Sequence, residues 1–484
     1  MISFVACIFV LVLGYFTYGK LMEHIFGVAP DRQTPALRMQ DNVDYLPLPT
    51  WKIFLIQFLN IAGLGPIFGA IAGAMYGPSA FLWIVLGSIF GGAVHDYFSG
   101  MMSVRHDGLS ISEVVGIYLG TGAKQVMRLF SIVLLIFVGT VFLMGPAKII
   151  DGMTGNMWNV WVWVAIILGY YILSTLLPID KLISKLYPVF GTAMLFMALG
   201  LMVALFFGDY HIPELVPSNL VNMSQNPGET PIFPMLFVTI ACGAISGFHA
   251  TQSPLMARCI KSETKGRRVF YGAMITEGIV ALVWAAAAMV FFGNVDGLNT
   301  AMAENNNNAA WAANAISVNM LGKVGGILAL LGIVFAPITS GDTAFRSTRL
   351  ILADIFTLEQ SSFKNRLLLS LPLFVIAFVL TQIDFDIIWR YFAWSNQTLA
   401  MITLWTITAF LYAKGKGYWV TLLPAIFMTM VCSTYILIAP EGFQLPHDLA
   451  YGLGGFITLL APLLFFWYAI NKRKREEGLT TDIS

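Results

Sequence analysis

Long apolar runs separated by short polar segments extend along the whole chain. Each run is close to the ~20 residues that a helix needs to cross a bilayer. The weak alternating pattern of a membrane β-barrel is absent from the sequence. The pattern predicts an all-α polytopic membrane protein with about 13 transmembrane helices. The predicted spans are residues 2–22, 51–77, 79–103, 126–148, 158–177, 187–208, 232–257, 270–292, 324–345, 367–383, 391–411, 418–438 and 449–470.

The second predicted span, Trp51–Gly77, is interrupted in its middle by residues 63–66, GLGP. Proline has no N–H, so the carbonyl of Ala62 loses its helical partner, and glycine eases departure from helical geometry. Hydrocarbon offers no hydrogen bonds, so such a break is tolerated only against protein or a wet cavity. Two polar residues, Gln57 and Asn60, precede it. The break is either half of a binding site or a kink used for packing.

The seventh span, residues 232–257, contains a second glycine-rich, polar interruption about 180 residues after the first. Gly243 and Gly247 flank Ser246, and the polar residues His249 and Gln252 follow. Paired broken helices in corresponding positions of two halves indicate the binding site of a secondary transporter, near the bilayer midplane.

The two interruptions divide the chain into repeats. Spans 2–6 and spans 7–11 form two sets of five, and an odd number puts the second set into the membrane in the opposite direction. We therefore expect a 5+5 inverted repeat with a discontinuous helix first in each half. The expected divisions are an N-terminal helix and linker (1–50), the first repeat (51–208), the second repeat (232–411) and two C-terminal helices with a tail (412–484).

Hard oxygen donors gather at the end of the ninth span, at Thr339, Ser340, Asp342 and Thr343. With the freed carbonyl of Ala62 they form a candidate sodium site, and Asp342 is also a candidate proton carrier. The alternative is a structural helix-end cap, because such side chains often satisfy local backbone groups.

The third span carries the neighbouring pair His95 and Asp96. Ionisable residues inside a membrane are costly, and histidine titrates near neutrality, so the pair is a candidate proton relay. The alternative is a structural polar cluster. Glu277 and Lys148 are further candidates, although Lys148 can also extend its ammonium group outward to water. Residues 394–398, WSNQT, either line a cavity or hydrogen-bond neighbouring helices.

Composition and charge narrow the function. The chain is 58% hydrophobic and 11% charged, with a net charge of +1, so no strong field attracts nucleic acid. Of its 27 basic residues, 24 lie on one side of the predicted membrane, which places that side in the cytoplasm, the N-terminus outside and the C-terminus inside. Residues 111–120 are too short to span and predict an interfacial cytoplasmic helix. The four cysteines form no disulfide or metal signature, no HExxH motif is present, and we expect neither an enzyme nor a cofactor.

Four motifs resemble the carbon starvation protein A family: residues 41–49 (DNVDYLPLP), 60–71 (NIAGLGPIFGAI), 91–108 (GGAVHDYFSGMMSVRHDG) and 246–254 (SGFHATQSP). The chain resembles a shorter form of the proteins of that family. The resemblance implies a bacterial inner-membrane carrier of peptides or a proton-coupled importer of pyruvate. The 5+5 layout also resembles the leucine-transporter fold of the amino acid–polyamine–organocation superfamily. That likeness implies unwound substrate-binding helices at spans 2 and 7 and sodium-binding hydroxyls on span 9.

The sequence thus predicts an ion-coupled importer, with a proton as the expected ion, of a small carboxylate such as pyruvate or a short peptide. Alternatives are a sodium-coupled amino-acid or peptide symporter and a nutrient sensor that does not transport. The candidate substrate-binding residues are Asn60, Gly63, Gly65, Ser246, Gly247, His249 and Gln252. The candidate ion-coupling residues are Ala62, His95, Asp96, Thr339, Ser340, Asp342 and Thr343, with Ala62, Thr339 and Ser340 as the possible sodium ligands.

Overall fold

The structure is a computed structural model that describes residues 1–41, 45–155, 157–176, 179–359 and 362–481, apart from the side chains of 176–186 and 472–481. Every regular element in these ranges is helical, which confirms the all-α prediction. Residues 42–44 of the motif at 41–49, and residue 177 of the predicted span 158–177, lie outside the described residues.

The first half of the chain forms eleven helices, with π-helical turns at Gly65–Gly69 and Gly87–Gly92. They are α1 (Ile2–Phe16), α2 (Tyr18–Phe26), α3 (Pro35–Arg38), α4 (Thr50–Ala62), α5 (Ala70–Ala74), α6 (Ser79–Leu86), α7 (Ala93–Arg105), α8 (Ile111–Leu119), α9 (Thr121–Met153), α10 (Val160–Leu176) and α11 (Ile179–Phe207). The helix expected over residues 111–120 is present as α8.

The second half adds ten helices, with π-helical turns at Ile232–Leu236, Arg267–Tyr271 and Leu330–Phe335. They are α12 (Phe237–Thr239), α13 (Gly247–Ala257), α14 (Gly272–Phe291), α15 (Val295–Glu304), α16 (Ala309–Ala329), α17 (Ala336–Phe356), α18 (Phe363–Leu380), α19 (Phe385–Ala413), α20 (Trp419–Ile438) and α21 (His447–Thr481).

Many of these helices are long and apolar enough to cross a membrane. Within the described ranges nine continuous helical stretches meet that requirement, and α4 together with Gly65–Ala74 makes a tenth if this bent pair is one span. Val160–Thr175 is a shorter apolar helix. The chain is therefore a multi-pass helical membrane protein, while the count of 13 and the inverted repeat stay predictions.

The spans differ strongly in burial. In Ser79–Arg105 and in Glu263–Phe291, 83% of the apolar stretch is buried inside the protein, against 11% in His447–Asn471. The helices α7 and α14 therefore lie at the centre of the fold, and α21 lies at its periphery. Ionisable side chains on α7 and α14 are consequently held away from lipid.

Candidate functional site

The first predicted break is present between α4 and the turn at Gly65–Gly69. The two helical segments are bent by 54°. Gly63 has φ +42° and ψ −135°, a conformation that side chains with a Cβ rarely adopt. A Cβ at Gly63 would also lie 2.5 Å from Cζ of Phe142. Glycine is thus required at Gly63 both by backbone conformation and by space.

The second predicted break is also present, between α12 and α13. The chain leaves helical geometry after Thr239 and becomes helical again at Gly247. Ser246 is extended, with φ −147° and ψ 126°. Its hydroxyl donates to Oδ1 of Asn396 at 3.0 Å, and the backbone N–H of Phe248 donates to the same oxygen at 2.7 Å. Asn396 of α19 therefore caps the helix that restarts after the break.

The two breaks contact each other. A Cβ added to Gly65 would lie 2.2 Å from Cβ of Cys242, which belongs to the second break. A Cβ on Gly247 would lie 2.5 Å from the carbonyl oxygen of Asn396. Both glycines therefore permit close approach, and the two interruptions are in contact with each other.

Four ionisable side chains form a buried chain beside the second break. Nδ1 of His95 lies 2.8 Å from Oδ1 of Asp96, and Nδ1 of His249 lies 2.8 Å from Oδ2 of Asp96. Nε2 of His249 lies 3.5 Å from Oε2 of Glu277. All four side chains are fully buried. We call His95, Asp96, His249 and Glu277 the imidazole–carboxylate chain.

The imidazole–carboxylate chain joins three helices. It includes residues predicted to bind the substrate and residues predicted to couple the ion. His95 and Asp96 lie on α7, His249 in the first turn of α13, and Glu277 on α14. The sequence assigned His249 to the substrate and the α7 pair to the ion, but the structure places all three in contact. Asp96 can accept a hydrogen bond from each Nδ1–H, which leaves Nε2 of each ring able to accept or release a proton.

Several buried polar atoms of the site have no hydrogen-bond partner. They include both side-chain polar atoms of Gln57 and of Asn60, Oε1 of Gln252 and both carboxyl oxygens of Glu277. Oε2 of Glu277 lies 3.5 Å from Nε2 of His249 without a hydrogen bond between them. Unpartnered buried polar groups are costly, and where several occur together they are candidates for contact with a ligand. The amide nitrogen of Gln252 donates to the hydroxyl oxygens of Thr251 at 3.0 Å and Ser347 at 3.4 Å.

The predicted oxygen donors of the ninth span lie on α17. The hydroxyl of Ser340 donates to the carbonyl of Leu59 at 3.1 Å, three residues before the expected Ala62. Thr339 and Thr343 donate within their own helix, to the carbonyls of Ala336 and Ser340. The Ala62–Thr339–Ser340 sodium site therefore stays a prediction, and the structure brings α17 against the first broken helix.

Asp342 has a partner that the sequence reading missed. Oδ2 of Asp342 lies 3.7 Å from Nη2 of Arg346, and both residues are largely buried. The spacing of four residues along a helix is the signal that predicts such a pair.

Asn396 was recognised only as part of a polar patch, because nothing in the local sequence indicates which backbone groups it caps. In the part of the chain that the structure describes, no three His, Cys, Asp or Glu side chains converge on a possible metal position.

Comparison with known proteins identifies the family. The sequence profile described as "Carbon starvation protein CstA" matches residues 1–174, 153–326 and 319–435. The chain belongs to the carbon starvation protein CstA family. This confirms the resemblance seen in its motifs.

Several known proteins are similar in sequence to this chain. An "Uncharacterized membrane protein" of Haemophilus influenzae is 44% identical over 62% of this chain and 94% of its own length. "Peptide transporter CstA" of Bacillus subtilis is 26% identical over 58% of this chain and 57% of its own length. "Pyruvate/proton symporter BtsT" of Escherichia coli is 26% identical over 59% and 48%. The chain thus aligns with about half the length of these two named transporters.

The same fold occurs in a solved structure. A manganese transporter of Eremococcus coleocola superposes with a TM-score of 0.56 and 13% sequence identity, covering 90% of this chain and 99% of that one. At this identity the likeness shows the fold alone. The shared fold covers 90% of this CstA-family chain.

Proposed function

We propose that this CstA-family chain is a secondary importer that couples proton entry to the uptake of a small carboxylate, pyruvate-like or a short peptide, across the bacterial cytoplasmic membrane. The observation that carries the proposal is the fully buried imidazole–carboxylate chain. Ionisable groups are expensive at this depth and mark proton relays in membrane carriers. The names of the B. subtilis and E. coli relatives support a peptide or pyruvate as cargo.

Protonation of the imidazole–carboxylate chain changes the contacts between helices α7 and α13. A deprotonated Asp96 accepts hydrogen bonds from His95 on α7 and His249 on α13. When Asp96 takes up a proton, one oxygen becomes a donor and one of these contacts is lost. Occupancy by a proton therefore alters how α13, the helix that restarts after the second break, is held against α7.

The substrate carboxylate would bind where the two breaks meet. The first turn of α13 places the positive end of the helix dipole beside Ser246 and Gly247, and the N–H of Phe248 in that turn donates to Asn396. The unpartnered amide of Asn60 lies in the last turn of α4, immediately before the first break. Gly63 and Gly65 pack directly against Phe142 and Cys242, so these contacts would have to open for the carboxylate to reach the backbone. In this proposal the bundle containing both broken helices rocks against the rest of the fold, with the N-terminus outside and the C-terminus in the cytoplasm.

A sodium-coupled symporter is the second candidate, and one contact favours it. The hydroxyl of Ser340 meets the carbonyl of Leu59 at 3.1 Å, which joins α17 to the first broken helix through two oxygen atoms. Hydroxyl and carbonyl oxygens are ligands that hard cations prefer. A site here would include Thr339 and, after a small shift of α4, the carbonyl of Ala62.

Transport by the purified protein in liposomes tests the proposal. Radiolabelled pyruvate, a dipeptide and a tripeptide are offered under an imposed proton gradient and, separately, under a sodium gradient. The expected result is saturable accumulation driven by the proton gradient and abolished by a protonophore. Accumulation only with sodium would select the second candidate. Binding without accumulation under either gradient would indicate a sensor and would reject transport.

A further inference from the structure

A small cavity lies between the start of α8, the second half of α13 and α17. Its volume is about 50 Å³, enough for a few water molecules. Apolar side chains supply most of the surface of its wall, and the polar or charged residues in the lining are Ser110, Ser112, Thr251, Arg258, Ser347 and Asp354. Polar groups at membrane depth face protein interiors or wet paths, so this wall is unlike a packing defect between apolar helices. We call it the α8–α13–α17 cavity.

The inner end of the cavity reaches a residue of the proposed substrate site. Thr251 and Ser347 line the cavity, and both accept hydrogen bonds from the amide nitrogen of Gln252. The amide oxygen of Gln252 is buried and has no partner. Gln252 is therefore hydrogen-bonded to two lining residues of the cavity, lies on the helix that restarts after the second break, and has an amide oxygen free to accept.

The outer end of the cavity carries a cation. Arg258 follows the last residue of α13, its Nε donates to the carbonyl of Gly108 at 3.0 Å, and its guanidinium lies 5.3 Å from the ring centroid of Tyr45. These contacts fix the charge at the cavity wall. The C-terminal end of a helix is partly negative and repels anions, and a guanidinium at that position offsets the repulsion. Arg258 is therefore the cation that an anionic group would meet at the end of α13, in a wall that also holds the carboxylate of Asp354.

Ion pairs between Glu113 of α8 and two cations of α9 hold the part of the wall that α8 forms, and we call these ion pairs the clamp. Glu113 of α8 accepts hydrogen bonds from Lys124 and from Nη2 of Arg128, the latter at 2.7 Å. Both cations belong to α9. The clamp fixes α8, and with it Ser110 and Ser112, against the longest helix of the first half.

We propose that the α8–α13–α17 cavity is the cytoplasmic section of the substrate path and that Arg258 binds the substrate's carboxylate there before release. The proposal rests on the proposed transport function and extends it. α13 has 11 residues, a length of ~16 Å. A carboxylate that leaves the first turn of α13 thus passes Gln252 midway and reaches Arg258 at the end of the same helix.

Accessibility of a cysteine at position 347 tests the path. Ser347→Cys is nearly isosteric, and the four native cysteines are buried, so the unmodified protein measures background labelling. Membrane-impermeant maleimide is applied to inside-out and right-side-out vesicles. Lys414→Cys and Glu304→Cys, both exposed, mark the two predicted sides. The expected result is labelling from the Lys414 side, protection by pyruvate or dipeptide, and loss of uptake after labelling.

Three outcomes would overturn the path: labelling from the Glu304 side, no labelling while Lys414→Cys reacts, or labelling that leaves uptake intact. Each is interpreted only if Ser347→Cys transports before labelling. The unmodified protein must also accumulate substrate in liposomes. If it does not, the proposed function fails, whereas accumulation with an unreactive position 347 rejects only the cavity as the path.

Substitution of Arg258 tests the carboxylate contact. Arg258→Lys keeps the charge and Arg258→Gln removes it. A hydrogen-bonded charge contributes ~1.5–3 kcal/mol, so Arg258→Gln should raise the half-saturating cytoplasmic substrate concentration about tenfold or more, with Arg258→Lys intermediate. Half-saturation from the external side should change little, which a purely structural role would not predict. Equal changes on both sides would contradict the assignment.

Discussion

Nδ1 of His249 lies 2.8 Å from Oδ2 of Asp96, and both side chains are fully buried. The two residues are separated by 153 positions and come from helices α13 and α7. This contact links the helix that restarts after the second break to a carboxylate that also meets His95. A change in the protonation of Asp96 therefore alters a hydrogen bond to His249, a residue of the proposed substrate site.

Replacing Asp96 by asparagine should abolish proton-driven accumulation. Asp96 contacts the two imidazoles through different oxygens, whereas an amide has one accepting oxygen and a nitrogen that donates, and it neither carries a charge nor takes up a proton. The substitution therefore removes both the titratable group and one of the two accepted hydrogen bonds. Exchange of labelled for unlabelled substrate needs no net proton movement and should survive. The measurement is uptake under a pH gradient alongside exchange in the same liposomes.

Asp296→Asn is the matched control, because Asp296 lies exposed in the first turn of α15. It should leave both uptake and exchange unchanged. Asp96→Asn protein that still accumulates substrate with an undiminished response to the pH gradient would remove Asp96 from the coupling role.

Asn396→Ala should destabilise the second break. It removes the acceptor shared by the hydroxyl of Ser246 and the N–H of Phe248, both of them buried. Leaving such donors unpaired costs about 1–3 kcal/mol. We expect a lower midpoint of thermal unfolding in detergent, whereas Asn319→Ala, on an exposed part of α16, should leave it unchanged. Equal midpoints for the two variants would show that Asn396 does not hold the break.

The contact between Gly65 and Cys242 can be tested by enlarging the residue at position 65 and then making the residue at position 242 smaller. Gly65→Ala places a Cβ 2.2 Å from Cβ of Cys242 and should reduce stability by about 1–3 kcal/mol. Adding Cys242→Gly should restore most of the loss, while Cys242→Ala, which keeps the clashing Cβ, should not. Thermal unfolding of the single and double variants gives the coupling.

A glycine without neighbours provides the comparison. Gly452 of α21 has no atom within 4 Å of an added Cβ, so Gly452→Ala should leave stability nearly unchanged. If Gly65→Ala behaved like Gly452→Ala, the two breaks would not pack as closely as the structure shows.

The breaks were predictable from sequence because their causes are local. The proline and glycines at 63–66 remove a donor and relax the backbone, and polar residues follow Gly243 at the second break. The contacts made by the broken ends were not predictable. Asn396 lies 148 positions from Phe248 and Asp96 lies 153 from His249, and one sequence carries no signal of which distant groups meet. The roles of these residues therefore stay predictions, and their division into substrate and ion sets was made without knowing that His249 contacts Asp96.

Acidification should release the clamp on α8. Burial raises the pKa of Glu113, but the hydrogen bonds and charges of Lys124 and Arg128 outweigh burial, so the pKa lies below its ordinary value. A lowered pKa in the folded protein means that the clamp stabilises fully above the unfolded pKa, about 4.3. That stabilisation is lost as the pH falls through the folded value. The unfolding midpoint of the unmodified protein should exceed that of Glu113→Gln at pH 6, and the difference should vanish at sufficiently low pH.

Glu359→Gln, at an exposed position, is the control for this pH series and should follow the unmodified protein throughout. A difference between Glu113→Gln and the unmodified protein that grows on acidification would have the wrong sign for an ion-paired carboxylate. It would contradict the clamp.

Asp342 and Arg346 allow structural and coupling roles to be separated. Their charged atoms lie 3.7 Å apart in a largely buried part of α17. Asp342→Asn alone leaves a buried guanidinium without its counter-charge and should destabilise the protein by about 3–5 kcal/mol, so loss of uptake in that variant carries no information about the ion. Asp342→Asn with Arg346→Gln removes both charges and should recover much of the stability. Because the imidazole–carboxylate chain is intact, the double variant should still respond to a proton gradient. If it folds, exchanges substrate and yet loses its response to the gradient, Asp342 carries the coupling ion.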